Sequence, residues 1–345
     1  MANAKEVTIY DIAKRLNISA TTVSRGLQDH PTISGKTKKK IADLAEQMGY
    51  RSNHFARSLR NQKTNTIGII VPRLNSHFMS SVIAGIEEAA NEQGYSLLIA
   101  QSSESSVKEA ASARTMFDSR VDGLLVSLAF DTPDLGHFSH FFKKDIPVIF
   151  FDRVMEHENS TNILIDNRQA AFNATRHLIE QGCRRIVHIT APTLRNVYKD
   201  RLKGYKEALS QYKIKFREDH VIITDLSQEA GAEAAKTILK MKPLPEGVFA
   251  ANDSCAVGCM LALKERGIRI PEDIAFVGFN NDPVTGVIDP HLTTISYRGY
   301  EIGQVAARHL ISYLSGTSHV SSTNTIILRS ELIVRASSLK KAGNK

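Results

Sequence analysis

Residues 20–25 read Ala-Thr-Thr-Val-Ser-Arg, and this run carries the most specific chemistry in the chain. A guanidinium such as that of Arg25 offers paired donors that match the acceptor edge of a guanine, and the hydroxyls of Thr22 and Ser24 suit phosphate oxygens. Ala20 and Thr21 complete a small, hydroxyl-rich and cationic surface. A second set of polar residues follows apolar runs further along: Asp152-Arg153, Asp166-Asn167, Arg195, Arg201, Asn252-Asp253 and Asn280-Asn281-Asp282. Carboxylates and amides can hold sugar hydroxyls, while Arg195 or Arg201 can hold a carboxylate, phosphate or purine carbonyl through a fixed donor fork. Phe78 offers a ring face to a sugar or base. Each of these residues also has an ordinary role open to it, as a helix cap, a surface ion pair or a packing group.

This is chemistry of binding rather than turnover. The sequence has no Gly-rich phosphate loop, nucleophile elbow or HExxH, and Gly278-Phe279-Asn280 is not a dinucleotide fingerprint. His188, within Val187-His188-Ile189, reads as a strand side chain rather than a base. No catalytic residue or cofactor is expected. Cys183, Cys255 and Cys259 read as buried structural thiols, and no nearby Cys or His completes a four-ligand zinc pattern, so no metal site is expected.

Local signals place the first set on helices. Thr8 puts a capping hydroxyl three residues before Asp11, and Ile9, Ile12, Ala13 and Leu16 recur on one helical face. Asn17-Ile18 breaks that run. Ser19 can cap a second helix that turns Ala20, Val23 and Leu27 toward a core. A third helix, expected over 36–48, carries Ile41, Leu44, Ala45 and Met48 and stops at Gly49. Helix, tight turn, helix is the geometry that lays a second helix in a major groove. Charge agrees with it: residues 1–63 hold twelve Lys and Arg against five Asp and Glu, +7 of the chain's formal +8. A basic module this concentrated can displace counterions from a phosphate backbone. Residues 53–60 then form a short polar hinge, ordered by DNA or by a second copy. Leu59 within it is either a packing residue or a minor-groove wedge.

From Thr66 the pattern changes to apolar strands alternating with amphipathic helices. Strands are expected at 67–71, 96–100, 123–128, 147–151, 162–165, 185–189, 220–223, 247–250 and 274–279, with helices between them, which implies parallel sheets clothed by helices. Two such sheets leave binding loops at the carboxyl ends of their strands and a cleft between lobes. No run of about 18 apolar residues occurs and residues 1–8 lack a signal-peptide core, so the expectation is a cytoplasmic protein without a membrane partner.

The combination closely resembles the LacI/GalR family of bacterial transcription regulators. Val7-Thr8-Ile9-Tyr10-Asp11-Ile12-Ala13, Ile18-Ser19-Ala20-Thr21-Thr22-Val23-Ser24-Arg25 and Met48-Gly49-Tyr50 match its DNA-binding signature. Asn53, Ala56-Arg57-Ser58-Leu59 and Thr66-Ile67-Gly68 match the hinge and the start of the effector domain. Matches continue through Arg201-Leu202-Lys203-Gly204-Tyr205, Ile270-Pro271-Glu272-Asp273-Ile274, Val277-Gly278-Phe279 and Leu292-Thr293-Thr294-Ile295.

The resemblance implies an N-terminal three-helix helix-turn-helix domain with a hinge helix, followed by a two-lobed α/β effector domain like a periplasmic binding protein. It implies a homodimeric repressor on the bacterial chromosome, bound to a palindromic double-stranded operator and controlled by a small metabolite. Thr8, Ala20, Thr21, Thr22, Ser24, Arg25, Asn53, Ala56 and Leu59 would meet DNA, with Ala20, Thr21 and Arg25 reading bases and Leu59 as the wedge. Phe78, Asp152, Arg195, Arg201, Leu226, Asn252 and Asn280 would meet the effector. The implied division is 1–50 for the reader, 51–65 for the hinge, 66–163 plus 296–325 for one lobe, and 164–295 plus 326–340 for the other. Crossings between lobes would fall near 163–166, 294–297 and 325–328, and a last strand over 327–334 would join the second lobe.

Two departures matter. Ser52 replaces the usual proline before the hinge asparagine, which removes a preset φ. Asn280 replaces an acid that commonly grips effector. Arg195 and Arg201 match positions used by purine-responsive members, yet Leu226 stands where those have a stacking aromatic. A sugar or sugar derivative is the expected effector, with a purine-responsive repressor or a binding protein without gene control as alternatives.

Overall fold

A computed structural model describes residues 7–50, 63–317 and 325–340. The chain divides into two compact units, Met1–Thr64 and Asn65–Lys345. Asn53, Ala56 and Leu59, with Ser52, lie outside the described residues.

The first unit holds helices α1 (Ile9–Leu16), α2 (Ala20–Leu27) and α3 (Gly35–Gln47). Their ends follow from local chemistry. The Asp11 carboxylate accepts hydrogen bonds from both Thr8 N (2.8 Å) and Thr8 Oγ1 (2.7 Å), Asn17 turns left-handed to end α1, and Ser19 Oγ accepts the Thr22 N–H at 3.0 Å to start α2. Ile12, Ala13, Val23, Ile41 and Ala45 form the buried centre. Leu27, expected in that core, is instead 38% exposed. Gly26 takes the close position: a Cβ there would lie 2.4 Å from Ile41 Cδ1, so α2 and α3 meet nearer than a leucine at that face would allow.

In the second unit, one sheet runs in the order β2 (Ser96–Gln101), β1 (Thr66–Val71), β3 (Gly123–Val126), β4 (Val148–Phe151), β5 (Ser160–Ile165), β11 (Thr325–Leu328), all parallel. The other runs β7 (Val221–Ile223), β6 (Ile186–Thr190), β8 (Gly247–Ala250), β9 (Ala275–Asn280), β10 (Thr293–Ser296), β12 (Glu331–Ile333), parallel except for the antiparallel β10–β12 edge. Central strands are buried end to end, as the apolar runs anticipate. Helices α4 (His77–Glu92), α5 (Ser106–Asp118), α6 (Ser139–Lys143), α7 (Asn167–Glu180), α8 (Asn196–Gln211), α9 (Gln228–Lys240), α10 (Asp253–Lys264) and α11 (Gly299–Leu314) connect and cover the strands. Helix α4 begins five residues before the expected 82, and the strand expected over 327–334 is two strands, one in each sheet.

The chain therefore crosses between lobes three times: after β5, after β10 and at residues 329–330. Strand pairing adjusts the implied division in three places. Leu164 and Ile165 pair with Ile327 and Leu328, so all four belong to the first sheet; Ser296 pairs with Asn280 and Glu331 in the second. Helix α11 returns to the first lobe and lies backbone to backbone on α4. A Cβ on Gly85 would sit 2.1 Å from the Tyr300 carbonyl oxygen, and one on Gly303 2.0 Å from that of Val82.

Those two contacts predict a stability effect far from any ligand. Gly303→Ala must push α11 off α4 and should cost about 1–3 kcal/mol, the usual range for overpacking a core. A chemical-denaturation midpoint unchanged from wild type would show that the two helices separate freely.

Candidate functional site

The outward side of α2 presents the first set of candidates. Thr21 and Arg25 are exposed, and Ala20, Thr22 and Ser24 half-buried. Thr8 is exposed, but its N–H and hydroxyl are both given to Asp11, so it serves the start of α1. The Thr22 hydroxyl bonds Ser19 Oγ at 2.8 Å. This leaves Arg25 as the long, exposed cation of the helix.

The second unit contains a cleft of about 700 Å³ whose walls come from loops after the carboxyl ends of strands in both sheets. Phe78, Asp152, Arg201, Leu226, Asn252 and Asn280 all line it. Arg195 does not. Its side chain is buried, 1% exposed, and its Nη2 donates to the Thr132 carbonyl of the first lobe, so the residue links the two lobes instead of facing the cleft. Its position at the N-cap of α8, six residues before Arg201, aims it at a different loop.

Arg201 is held tightly. Nε donates to Asn167 Oδ1 at 2.9 Å, Nη1 donates to the Ala251 carbonyl at 2.6 Å, and the guanidinium carbon lies 3.6 Å from the centroid of the Phe279 ring. Burial lowers its proton affinity. Asp152, with left-handed φ 58, accepts from Tyr297 Oη at 2.9 Å. Burial raises its carboxyl, against the pull of Arg153 and Arg201. Phe78 has one face already occupied: it stacks on Tyr297 with centroids 4.3 Å apart. Asn252 is largely committed as well, its Oδ1 accepting the Cys255 N–H at the start of α10 and its Nδ2 donating to the Leu226 carbonyl.

Both units match families of known proteins. Residues 8–53 match the model described as "Bacterial regulatory proteins, lacI family", and residues 175–338 the model described as "Periplasmic binding protein-like domain". The chain is 30% identical over 310 residues to catabolite control protein A of Priestia megaterium, covering 90% of this chain and 93% of that one. It is 31% identical over 334 residues to the HTH-type transcriptional repressor CytR of Escherichia coli (strain K12), covering 96% of each. The chain belongs to the LacI/GalR family. Among solved structures, it resembles the transcriptional regulator CelR–cellobiose complex with a TM-score of 0.73 at 26% identity, over 96% of this chain and 100% of that one. As a member of that family, this protein is a DNA-binding transcriptional regulator with a small-molecule effector domain.

In this LacI/GalR chain the structure adds cleft residues that motif reading left aside, Glu104, Phe130, Tyr198 and Tyr297, and places Asp282, singled out with Asn280 and Asn281, in the same lining. Arg153 joins several of them, with Nη1 on Glu104 Oε2 at 2.7 Å, Nη2 on Tyr198 Oη at 3.1 Å and its guanidinium carbon 4.2 Å from the Phe130 centroid. The sequence signal of Glu104, Phe130 and Tyr297 is position soon after a strand end, as for Asp152-Arg153 and Asn281-Asp282, whereas Tyr198 lies within α8. The lobes are stitched along the same wall by Asn196, which accepts from Val154 N and donates to the Asp152 carbonyl, and by His77, 3.4 Å from Asp282. His188, by contrast, is core. Its ring stacks between Tyr205 and Phe249, Nδ1 bonds the Phe249 carbonyl at 2.9 Å, and burial drives it down to about 4. The three thiols are buried too, with Cys183 raised to about 11 and Cys255 to about 12 by burial. Among the described residues no helix is long and apolar enough to cross a membrane.

Behind the cleft wall, Asp253 is wholly buried. It accepts from Thr294 Oγ1 at 2.7 Å and Asp282 N at 2.8 Å, and burial, then the Asp282 charge, lift it to about 7. The folded protein thus keeps a proton on Asp253 that the unfolded chain, near the ordinary aspartate value of 3.8, has already lost. Stability from this group is full at low pH and falls as pH rises from about 4 to about 7. His188 acts in the opposite sense over a similar range, so the difference between variant and wild type is the clean readout. Asp253→Asn should gain thermal stability relative to wild type at pH 8 compared with pH 5. A melting-temperature difference that is the same at both pH values would contradict it.

Proposed function

We propose that this protein is a homodimeric transcriptional repressor whose hold on a palindromic operator is set by a sugar or sugar derivative bound in the cleft between its two lobes. The observation that carries the effector class is the composition of that cleft: guanidinium and carboxylate groups held among aromatic rings, which suits hydroxyls on a ring with apolar faces. The structural neighbour described as a complex of CelR with cellobiose supports the same class. A purine reading has less behind it, since Arg195 is turned onto Thr132 and Leu226 offers no aromatic face. Binding without gene control is disfavoured by the basic reader that precedes the lobes.

In the reader, Ala20, Thr21 and Arg25 contact bases, and Thr22 and Ser24 contact phosphate. Thr8 would have to release Asp11 to do so. Asn53, Ala56 and Leu59 form the paired hinge, with Leu59 entering the minor groove. The lobes divide near the crossings described above, so a ligand that draws them together changes the spacing of the two readers.

Full-length protein is used to select its site from a random duplex library, and affinity is measured by fluorescence anisotropy across a salt series. Arg25→Ala should weaken the selected site by about 1–3 kcal/mol and relax preference at one base position. Unchanged affinity and preference would refute the reader. Leu59→Ala should weaken the selected site more than random duplex, because a wedge serves a bent site; equal loss on both would remove the wedge.

A further inference from the structure

Three buried side-chain atoms on the cleft wall have no hydrogen-bond partner: Glu104 Oε1, Arg153 Nε and Asp282 Oδ1. Arg73 Nε approaches the first carboxylate at 3.2 Å, and His77 Nδ1 the second at 3.4 Å, but neither has hydrogen-bond alignment. Glu104 follows β2 in the first lobe, and Asp282 follows β9 in the second. Two acceptors on opposite lobes and one donor thus lack an aligned partner in residues that line the cleft.

The cleft lining carries three guanidiniums, Arg73, Arg153 and Arg201, against five acidic side chains, so acid is in excess on the wall. Arg153 is paired with Glu104, Arg201 is spent on Asn167, the Ala251 carbonyl and the Phe279 face, and Asp152, Asp225 and Glu229 add further carboxylates to the wall. A phosphate or carboxylate entering here meets like charge in a partly desolvated site and brings no proton for either orphaned oxygen. A hydroxyl does both jobs, donating to a carboxylate and accepting from Arg153 Nε.

The turn after β9 explains how an acid reaches the wall from position 282. Asn280 and Asn281 both have positive φ, 118 and 59, which turns the chain sharply and brings Asp282 to the cleft lining. Two aromatic pairs line the same cleft, Phe130 with Tyr198 (5.5 Å) and Tyr297 with Phe78 (4.3 Å), and the Arg201 guanidinium lies 5.8 Å from the Tyr198 ring and 6.0 Å from the Tyr297 ring, so ring faces accompany the polar groups.

The geometry points to an uncharged saccharide whose hydroxyls bridge Glu104 and Asp282 across the lobes, with both carboxylates rejecting phosphorylated and carboxylated sugars. This assignment rests on the sugar reading of the cleft given above and narrows it by charge.

Calorimetry on the full-length protein tests it with glucose, ribose, maltose, cellobiose and N-acetylglucosamine, set against glucose 6-phosphate, ribose 5-phosphate and galacturonate, and against adenine, guanine and cytidine. At least one neutral sugar should bind, and its charged counterpart should bind about tenfold more weakly or worse. Glu104→Gln and Asp282→Asn, checked for folding by circular dichroism, should each weaken the neutral sugar by about fivefold or more. A charged sugar that binds as tightly as its neutral counterpart overturns the charge assignment while leaving the sugar reading intact. Wild-type affinity in both variants overturns the bridge. Binding of a nucleobase or nucleoside with no plain sugar, or of nothing in the panel, overturns this assignment and the sugar reading together. The wild-type comparison stands even if a variant fails to fold.

Discussion

Parallel strand direction is the constraint on which the effector unit depends. Because ten of its twelve described strands pair only in parallel and the one antiparallel pair, β10–β12, lies at an edge, the loops after β1, β2, β3, β4, β7, β8 and β9 all open toward the same cleft. Polar residues that would be scattered over a surface in another topology are thereby crowded into one partly buried space. They must satisfy each other there. The result is a wall in which Arg153 serves Glu104 and Tyr198, Arg201 serves Asn167 and a backbone carbonyl, and Tyr297 serves Asp152.

Crowding also explains the backbone conformations and the proton. Asp152, Leu226 and Asn280 each adopt a positive φ at the cleft, a conformation that costs a non-glycine residue about 1–3 kcal/mol and persists only where the surroundings over-determine it. Asp253 sits one layer behind, where two carboxylates approach and the more deeply buried one holds a proton near neutral pH. The groups behind the wall are paired with one another, while some of those lining it are not.

Much of this was legible in the residues. The three reader helices were, because a 3.6-residue apolar period runs through them and caps at Thr8 and Ser19 coincide with it, and so were the central strands, whose uninterrupted apolar runs admit burial on both faces. Leu27 misled because periodicity cannot say that Gly26 will bring α3 closer than a leucine fits. The boundary near Ile327 misled because a short alternating strand looks the same whichever sheet it joins, and only its pairing with β5 decides. Arg195 and Arg201 are equivalent as sequence, both near the start of one helix. What separates them is the Thr132 carbonyl, more than sixty residues away on the other lobe. Contacts between lobes, including Arg153 with Tyr198 and His77 with Asp282, leave no periodic trace, and so the finer chemistry of the cleft was hidden while its location was not.

The three crossings of the chain have a consequence for how such proteins are built and rebuilt. Neither lobe is a contiguous stretch of sequence, so no single cut in the gene separates one from the other, and a backbone break in any one connection leaves the halves tethered by two more. The joint at Thr64–Asn65 is crossed once. Recombination can therefore trade readers among effector units as intact cassettes, while a change of ligand has to arise by substitution within residues 65–340, one loop at a time.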